Sequence, residues 1–296
     1  MKILLCGSEG QLGHELAGPL ASFATLAAPP ERAFDITDAS VVAATLGAER
    51  PDVVVNASAY TDVDGAERDP ALAERVNRDA VRSLGLACQE RGIGLVHVST
   101  DFVFDGEAHR PYVETDPCRP INAYGRSKRE GELALVETGA PAIVLRTAWV
   151  YSLRRKSFVS AILKAARERE ELKIVADQVG SPTFCRDLAV AIALLLRGLG
   201  ARAPQALADA AGIYHLAGGG EPASRIELAR AALELDPHKD AQRVKTLVPI
   251  ETSALPAPAA RPLRTPLDSS ACWARFGVRL PDWRDALRRA LAPSVV

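Results

Sequence analysis

Tyr124 and Lys128, within Asn122-Ala123-Tyr124-Gly125-Arg126-Ser127-Lys128, stand four positions apart. On a helix that spacing puts both side chains on one face, where they can serve a single reacting group. A phenol ordinarily loses its proton at about pH 10, too high for acid–base work in a cell, and a neighbouring ammonium stabilises the phenolate and draws that value down. A shift of about three units corresponds to roughly 4 kcal/mol of differential interaction between the two protonation states. Surface helices also produce Tyr-x-x-x-Lys by chance, so the pair carries weight only in company. Its nearest company is Ser99-Thr100-Asp101, which ends the apolar run from Gly94. A hydroxyl at Thr100 can hydrogen-bond a carbonyl, or the alkoxide formed beside a proton-donating tyrosine. The same Ser-Thr pair also serves as a turn or helix cap.

Such residues need a scaffold that gathers distant segments at one edge. Lys2-Ile3-Leu4-Leu5-Cys6 has strand character and runs straight into Gly7-Ser8-Glu9-Gly10-Gln11-Leu12-Gly13, after which Leu12, Leu16 and Leu20 recur at helical spacing. Strand, glycine turn and helix start form a dinucleotide-binding arrangement: backbone N–H groups can approach a pyrophosphate, and the helix N-terminus favours its charge. The spacing is G-x-x-G-x-x-G, whereas the common fingerprint is G-x-G-x-x-G, and a glycine loop can also open a helix for packing alone. Further strands are expected at Pro51–Asn56, Gly94–Ser99 and Ala142–Arg146, with a helix at Asp79–Arg91 stopped by Gly92. This alternation predicts an α/β fold with a doubly wound parallel sheet, in which ligands sit beyond the carboxyl ends of the strands. Polar residues collect at those ends: Gly7–Gly13, Asn56–Thr61, Ser99–Asp101 and Arg146–Trp149. Beyond residue 150, helices are expected at Phe158–Glu170 and Asp187–Leu199 and a closing helix at Trp283–Leu291. Ala201–Gly212 reads as a connector, and the proline-rich Leu255–Pro266 reads as a loop.

A formal net charge of −1 gives no argument for a nucleic-acid or anionic-membrane partner. The five cysteines are scattered, odd in number and without C-x-x-C spacing, which disfavours a disulfide framework or zinc site and suits a reducing compartment. The first apolar run is too short for a signal peptide and Leu188–Leu196 too short for a membrane span. A cytoplasmic protein is expected.

The glycine loop, Asn56-Ala57-Ser58-Ala59-Tyr60-Thr61, Ser99-Thr100-Asp101-Phe102-Val103-Phe104-Asp105-Gly106, Tyr124-x-x-x-Lys128 and Arg146-Thr147-Ala148-Trp149-Val150-Tyr151 together resemble an extended short-chain dehydrogenase/reductase. More narrowly, with Asp177-Gln178-x-Gly180-x-Pro182-Thr183 and Arg261-Pro262, they resemble the dTDP-4-dehydrorhamnose reductase family over nearly the whole chain. The resemblance implies a Rossmann-type NAD(P)-binding domain over 1–150 and a smaller C-terminal substrate-binding domain over 151–296, with part of 184–200 packing back on the first. It implies a catalytic set of Thr100, Tyr124 and Lys128. For the cofactor, NADPH or NADH, it implies Gly7, Gly10, Gln11, Leu12 and Gly13 at the pyrophosphate and Asp35 and Ile36 at the adenine. Ala59, Tyr60 and Thr61 would lie on the nicotinamide side, where Tyr124 and Lys128 also contribute. Asp101 and Trp149, with Val63 more weakly, would join Thr100 at the sugar of a dTDP-sugar substrate. Trp149 could equally be a core aromatic, Gln178, Pro182 and Thr183 ordinary loop residues, and Arg261 either a solvated charge or a guanidinium on the substrate diphosphate.

Nucleotide-sugar dehydratases follow the Thr-Asp pair with a glutamate base; here that position is Phe102, so net reduction of a C4 ketone is expected and elimination is not. The rivals are a nucleotide-sugar 4-epimerase, a reductase of a related dTDP-4-keto-6-deoxy sugar, and a non-catalytic regulatory homologue. At the end of the second strand there is no carboxylate; Arg32 suits a 2′-phosphate while Glu31 opposes it, and NADPH is expected to be accepted at least as well as NADH. Some members of the resembled family dimerise around Mg²⁺ held by glutamates. Glu15 matches one such position, but Arg186 stands where a second acid is needed and Leu291-Ala292-Pro293 offers none. No metal site is expected, and the protein should be a monomer or a metal-independent weak dimer, with a salt bridge between Glu15 and Arg186.

Overall fold

The computed structural model describes residues 1–292; residues 293–296, Pro293 among them, lie outside the described residues. Six parallel strands form the central sheet, in the order Gly212–His215, Ala142–Thr147, Gly94–Thr100, Val53–Asn56, Lys2–Cys6, Thr25–Ala27. From Lys2–Cys6 the chain winds outward to Thr25–Ala27, then crosses back to Val53–Asn56 and proceeds the other way. The order reverses between Lys2–Cys6 and Val53–Asn56, which opens a crevice at their carboxyl ends.

Strand periodicity explains the two layers of core. Ile3, Leu5, Val53, Val55 and Val96 point to one face and pack on Leu12, Leu16 and Leu20 of the helix Gln11–Ala21. Leu4, Cys6, Val54 and Leu95 point to the other, against Val42, Leu46, Val81, Leu84 and Leu135 from three helices. A separate core joins the helix Phe158–Glu168, the parallel pair Glu171–Val175 and Thr246–Ile250, the helix Arg225–Leu235 and the closing helix Trp283–Leu291. Its helices are locally specified by reciprocal N-terminal caps, Ser157 with Ser160 and Ser224 with Glu227.

One sequence expectation needs correction. Ala201–Gly212 is not a mere connector, because it contains the helix Ala203–Asp209 and leads into Gly212–His215, the sixth strand of the central sheet. Its small residues let the helix lie close on the sheet, so close that a Cβ at Gly94 would meet Leu207 Cδ1 at 2.5 Å. Four residues are also too few for a strand to show its period. The first core also draws on residues beyond 150. The helix Cys185–Leu199 packs through Leu188, Ile192 and Leu196 on the first core, Leu207 follows it there, and Cys272, Val278 and Leu280 return later still. No helix among the described residues is long and apolar enough to cross a membrane.

Candidate active site

A cavity of about 590 Å³ lies along the carboxyl ends of the sheet. Of the residues expected there, Gly7, Gly10, Gln11, Leu12, Asp35, Ile36, Ala59, Thr61, Thr100, Asp101, Tyr124, Lys128, Trp149 and Val63 all line it. Gly13 and Tyr60 do not. Gly13 serves the turn from behind, since a Cβ there would fall on the Gly7 carbonyl oxygen. Tyr60 acts through its backbone: its N–H donates to Asn77 Oδ1 (2.9 Å), and its carbonyl accepts from Asn77 Nδ2 (3.0 Å), which also donates to Ser127 Oγ. Asn77 sits in a π-helical turn, Arg75–Asp79, and ties the loop carrying Tyr60 to the Tyr124 helix. No motif marked it in the sequence.

The glycine loop fits a dinucleotide. Gly7 has φ +73°, and a Cβ there would meet Ser58 N at 2.7 Å, so only glycine fits the turn. The helix Gln11–Ala21 starts at Gly10 with no side-chain cap, leaving its first N–H groups for an anion. Gln11 is steadied by donating to the Val150 carbonyl (3.2 Å).

Tyr124 and Lys128 lie on the helix Ala123–Glu137, capped by the Asn122 side chain on the Gly125 N–H. Phe102 packs edge-on against the Tyr124 ring at 5.6 Å. Burial pushes the Tyr124 hydroxyl up to about 12, with Thr100 pulling the other way and the Asp101 charge adding to the rise. Lys128 is not among the groups that act on the phenol in this arrangement; its ammonium is engaged elsewhere. Lys128 Nζ donates to the Val98 carbonyl (2.8 Å) and lies 3.2 Å from His97 Nε2. Asn56 Oδ1 accepts both the N–H and the hydroxyl of Ser58, which leaves the Asn56 amide N–H for His97 Nδ1 at 3.2 Å. A neutral ring so engaged carries its proton on Nε2, facing Lys128, a contact that favours amine over ammonium. Burial acts in the same direction and draws Lys128 down to about 8.

One turn on, Glu132 is fully buried and pairs with Arg146 at 2.7 Å, while the Ser99 hydroxyl donates to it at 2.6 Å. The Arg146 guanidinium holds that carboxyl below the usual range against the desolvation that raises it. This pair clamps the helix to the two strands that end in Thr100 and Thr147, and so fixes where Tyr124 meets Thr100.

Beside Tyr124, Asp101 is loaded: Thr100 Oγ1 donates to Oδ1 (3.1 Å) and Thr265 Oγ1 to Oδ2 (2.5 Å), and burial raises its carboxyl to about 6. Trp149 holds φ +46°, a left-handed conformation rare for a large side chain. A Cβ at Gly180 would meet its ring at 2.5 Å, and the Arg225 guanidinium lies 3.5 Å from its centroid. Arg225 thus occupies one face of the indole. Sequence reasoning missed Arg225, which opens a helix with no motif around it. Arg261 pairs with Asp64 (2.9 Å) and does not line the cavity, nor do Gln178, Pro182 and Thr183. Gln178 instead donates to Thr252 Oγ1, bracing two loops.

Glu15 forms the ion pair expected with Arg186 (3.2 Å) and a second with Arg154 (3.4 Å). Two guanidiniums on the one carboxylate make the position hostile to a dication. Dialysis against EDTA is expected to leave both activity and sedimentation coefficient unchanged; a loss that Mg²⁺ restores would show ligands from elsewhere.

The whole chain, residues 1–296, matches the family model described as RmlD substrate binding domain. It is 44% identical to a dTDP-4-dehydrorhamnose reductase of Burkholderia thailandensis, with 97% of each chain covered. Among solved structures it is similar to a dTDP-4-dehydrorhamnose reductase from Clostridium acetobutylicum (31% identity, TM-score 0.88, 98% of each chain). Another from Bacillus anthracis, in complex with NADP, gives 31% identity and a TM-score of 0.86 over 97% of each chain. With matches of this length, and with the glycine loop, Thr100, Tyr124 and Lys128 gathered on one cavity, the chain belongs to the RmlD family, that of the dTDP-4-dehydrorhamnose reductases.

Proposed function

We propose that this protein reduces the C4 ketone of dTDP-4-dehydro-6-deoxy-L-mannose (dTDP-4-dehydro-L-rhamnose) to give dTDP-L-rhamnose, using NADPH or NADH. The observation that carries this reading is the convergence of Thr100, Tyr124 and Lys128 on one cavity in which Phe102 replaces a base. The nicotinamide, when bound, supplies the hydride. Tyr124, kept protonated by burial, donates its proton to the C4 oxygen. The Thr100 hydroxyl, held between Asp101 Oδ1 and the Phe102 N–H, is placed to turn towards the same oxygen and orient it. Lys128 holds the nicotinamide ribose with an N–H not used by Val98. Phe102 and the covered Trp149 keep water from the reacting carbon.

We place the dTDP moiety towards the second core, whose loops meet the first at Asp101–Thr265. The five free cysteines suit a reducing cytoplasm. The test is NAD(P)H oxidation with enzymatically generated dTDP-4-keto-6-deoxy-L-hexose, the product identified by mass and NMR. Dinucleotide retained in the purified protein, with sugar interconverted and no net cofactor consumed, would favour the epimerase reading. Binding without turnover would favour a regulatory homologue.

At the adenosine end Glu31 bears on the choice between NADPH and NADH. Glu31 lines the cavity, its N–H anchored on Glu9 Oε2 (2.8 Å), whereas Arg32 lies outside the lining. A carboxylate there accepts from a ribose 2′-hydroxyl and repels a 2′-phosphate. Glu31→Gln is expected to raise kcat/KM for NADPH relative to NADH by roughly tenfold; an unchanged ratio would place Glu31 away from the ribose.

A further inference from the structure

We infer that Arg225 is the diphosphate anchor of this site, holding the two phosphates of a nucleoside diphosphate through a guanidinium laid flat on Trp149. The inference rests on the nucleotide-sugar reading above and deepens it with a residue that no sequence motif marks.

Among the described residues that line the cavity only two are cationic, Lys128 and Arg225. Lys128 is engaged at the catalytic end by Val98 and His97. Arg261, which sequence reasoning offered for the diphosphate, is paired with Asp64 and turned onto the Ala259 carbonyl, outside the lining. A dianionic substrate entering this cavity therefore has one cation left to meet.

Arg225 is built for that contact. Rings, not carboxylates, hold its guanidinium: the carbon lies 3.5 Å from the Trp149 centroid and 5.1 Å from that of Phe158. Stacking restrains the plane while leaving the N–H edge unspent. Asp101 acts on it through space without a hydrogen bond, and its two oxygens accept hydroxyls from Thr100 and Thr265. Burial and the charge of Arg261 pull Arg225 down to about 10, so the unliganded site carries an electrostatic cost that a bound anion removes. Its backbone is fixed as well: Arg225 is the first residue of a helix capped by Ser224 and Glu227, and its N–H donates to the Gln178 carbonyl at 3.2 Å. The strained Trp149 backbone has a role in this arrangement, since it lays the indole under the guanidinium with Gly180 behind it.

The test compares dTDP with thymidine, its phosphate-free counterpart, by calorimetric or NMR titration of the protein saturated with NADP⁺. The wild type is expected to bind dTDP more tightly than thymidine. Arg225→Met should weaken dTDP by roughly 10- to 100-fold, the scale of a lost bidentate charge-assisted contact, and leave thymidine and NADP⁺ affinities unchanged. Arg225→Lys keeps the charge but not the fork, and should lose part of the dTDP affinity alone. It decides the matter if Arg225→Met does not fold. A variant that keeps the wild-type preference for dTDP over thymidine overturns the inference. A wild type that binds NADP⁺ but neither dTDP nor thymidine overturns the nucleotide-sugar reading with it.

Discussion

Tyr124→Phe is expected to lower kcat by about 10²-fold or more, the usual scale for a lost general acid, with NADPH affinity retained. The substitution removes one hydroxyl and leaves the ring in its edge-on contact with Phe102, so packing is preserved. Because burial holds the wild-type phenol near 12, its proton is present throughout the neutral range. The alkaline limb of kcat should therefore not come from Tyr124 itself until pH is well above neutrality. Stopped-flow hydride-transfer rates measure the effect, and a variant keeping most of its kcat would show that the proton comes from another group.

Lys128→Met is expected to damage two things at once, cofactor affinity and turnover, because the ammonium serves the ribose as well as the reacting end. It also gives a stability signature with a definite sign. In the folded protein Lys128 is drawn down to about 8 from an ordinary 10.5. Below pH 8 it is charged in both folded and unfolded states, and folding bears the full cost of burying it. Between about 8 and 10.5 the folded form sheds the proton first, so the wild type gains stability relative to the methionine variant as pH rises. That difference should move in the wild type's favour by roughly 3 kcal/mol across the window. Denaturant melts of both proteins at pH 7 and pH 10.5 measure it, and parallel pH profiles would mean that Lys128 is not desolvated.

The parts of this architecture that the sequence made legible are those with a short period or a steric demand. Ile3–Leu5 alternate between faces, Leu12, Leu16 and Leu20 keep helical step, and Gly7 must be glycine because Ser58 lies against it. Tyr124 and Lys128 share a helix, so their relation is written in their spacing. Arg225 and Asn77 lacked any such local mark. Each belongs to the site through a partner far along the chain, Trp149 in one case and Tyr60 in the other, and such proximity is set by tertiary packing. Gly212–His215 escaped for a third reason: four residues after an alanine-rich helix are too few to reveal a strand.

The late return of that strand bears on how the chain must be made. When the first 150 residues have left a ribosome, Ala142–Thr147 is still an open sheet edge, and Leu12, Leu16 and Leu20 still lack the cover of Cys185–Leu199. Some 65 further residues must be synthesised before Gly212–His215 closes that edge. The first core is finished only when Cys272, Val278 and Leu280 arrive, after most of the second core has been laid down. Neither half is then free to melt by itself: the whole chain should unfold in one cooperative transition, and a fragment ending at residue 150 should aggregate rather than fold.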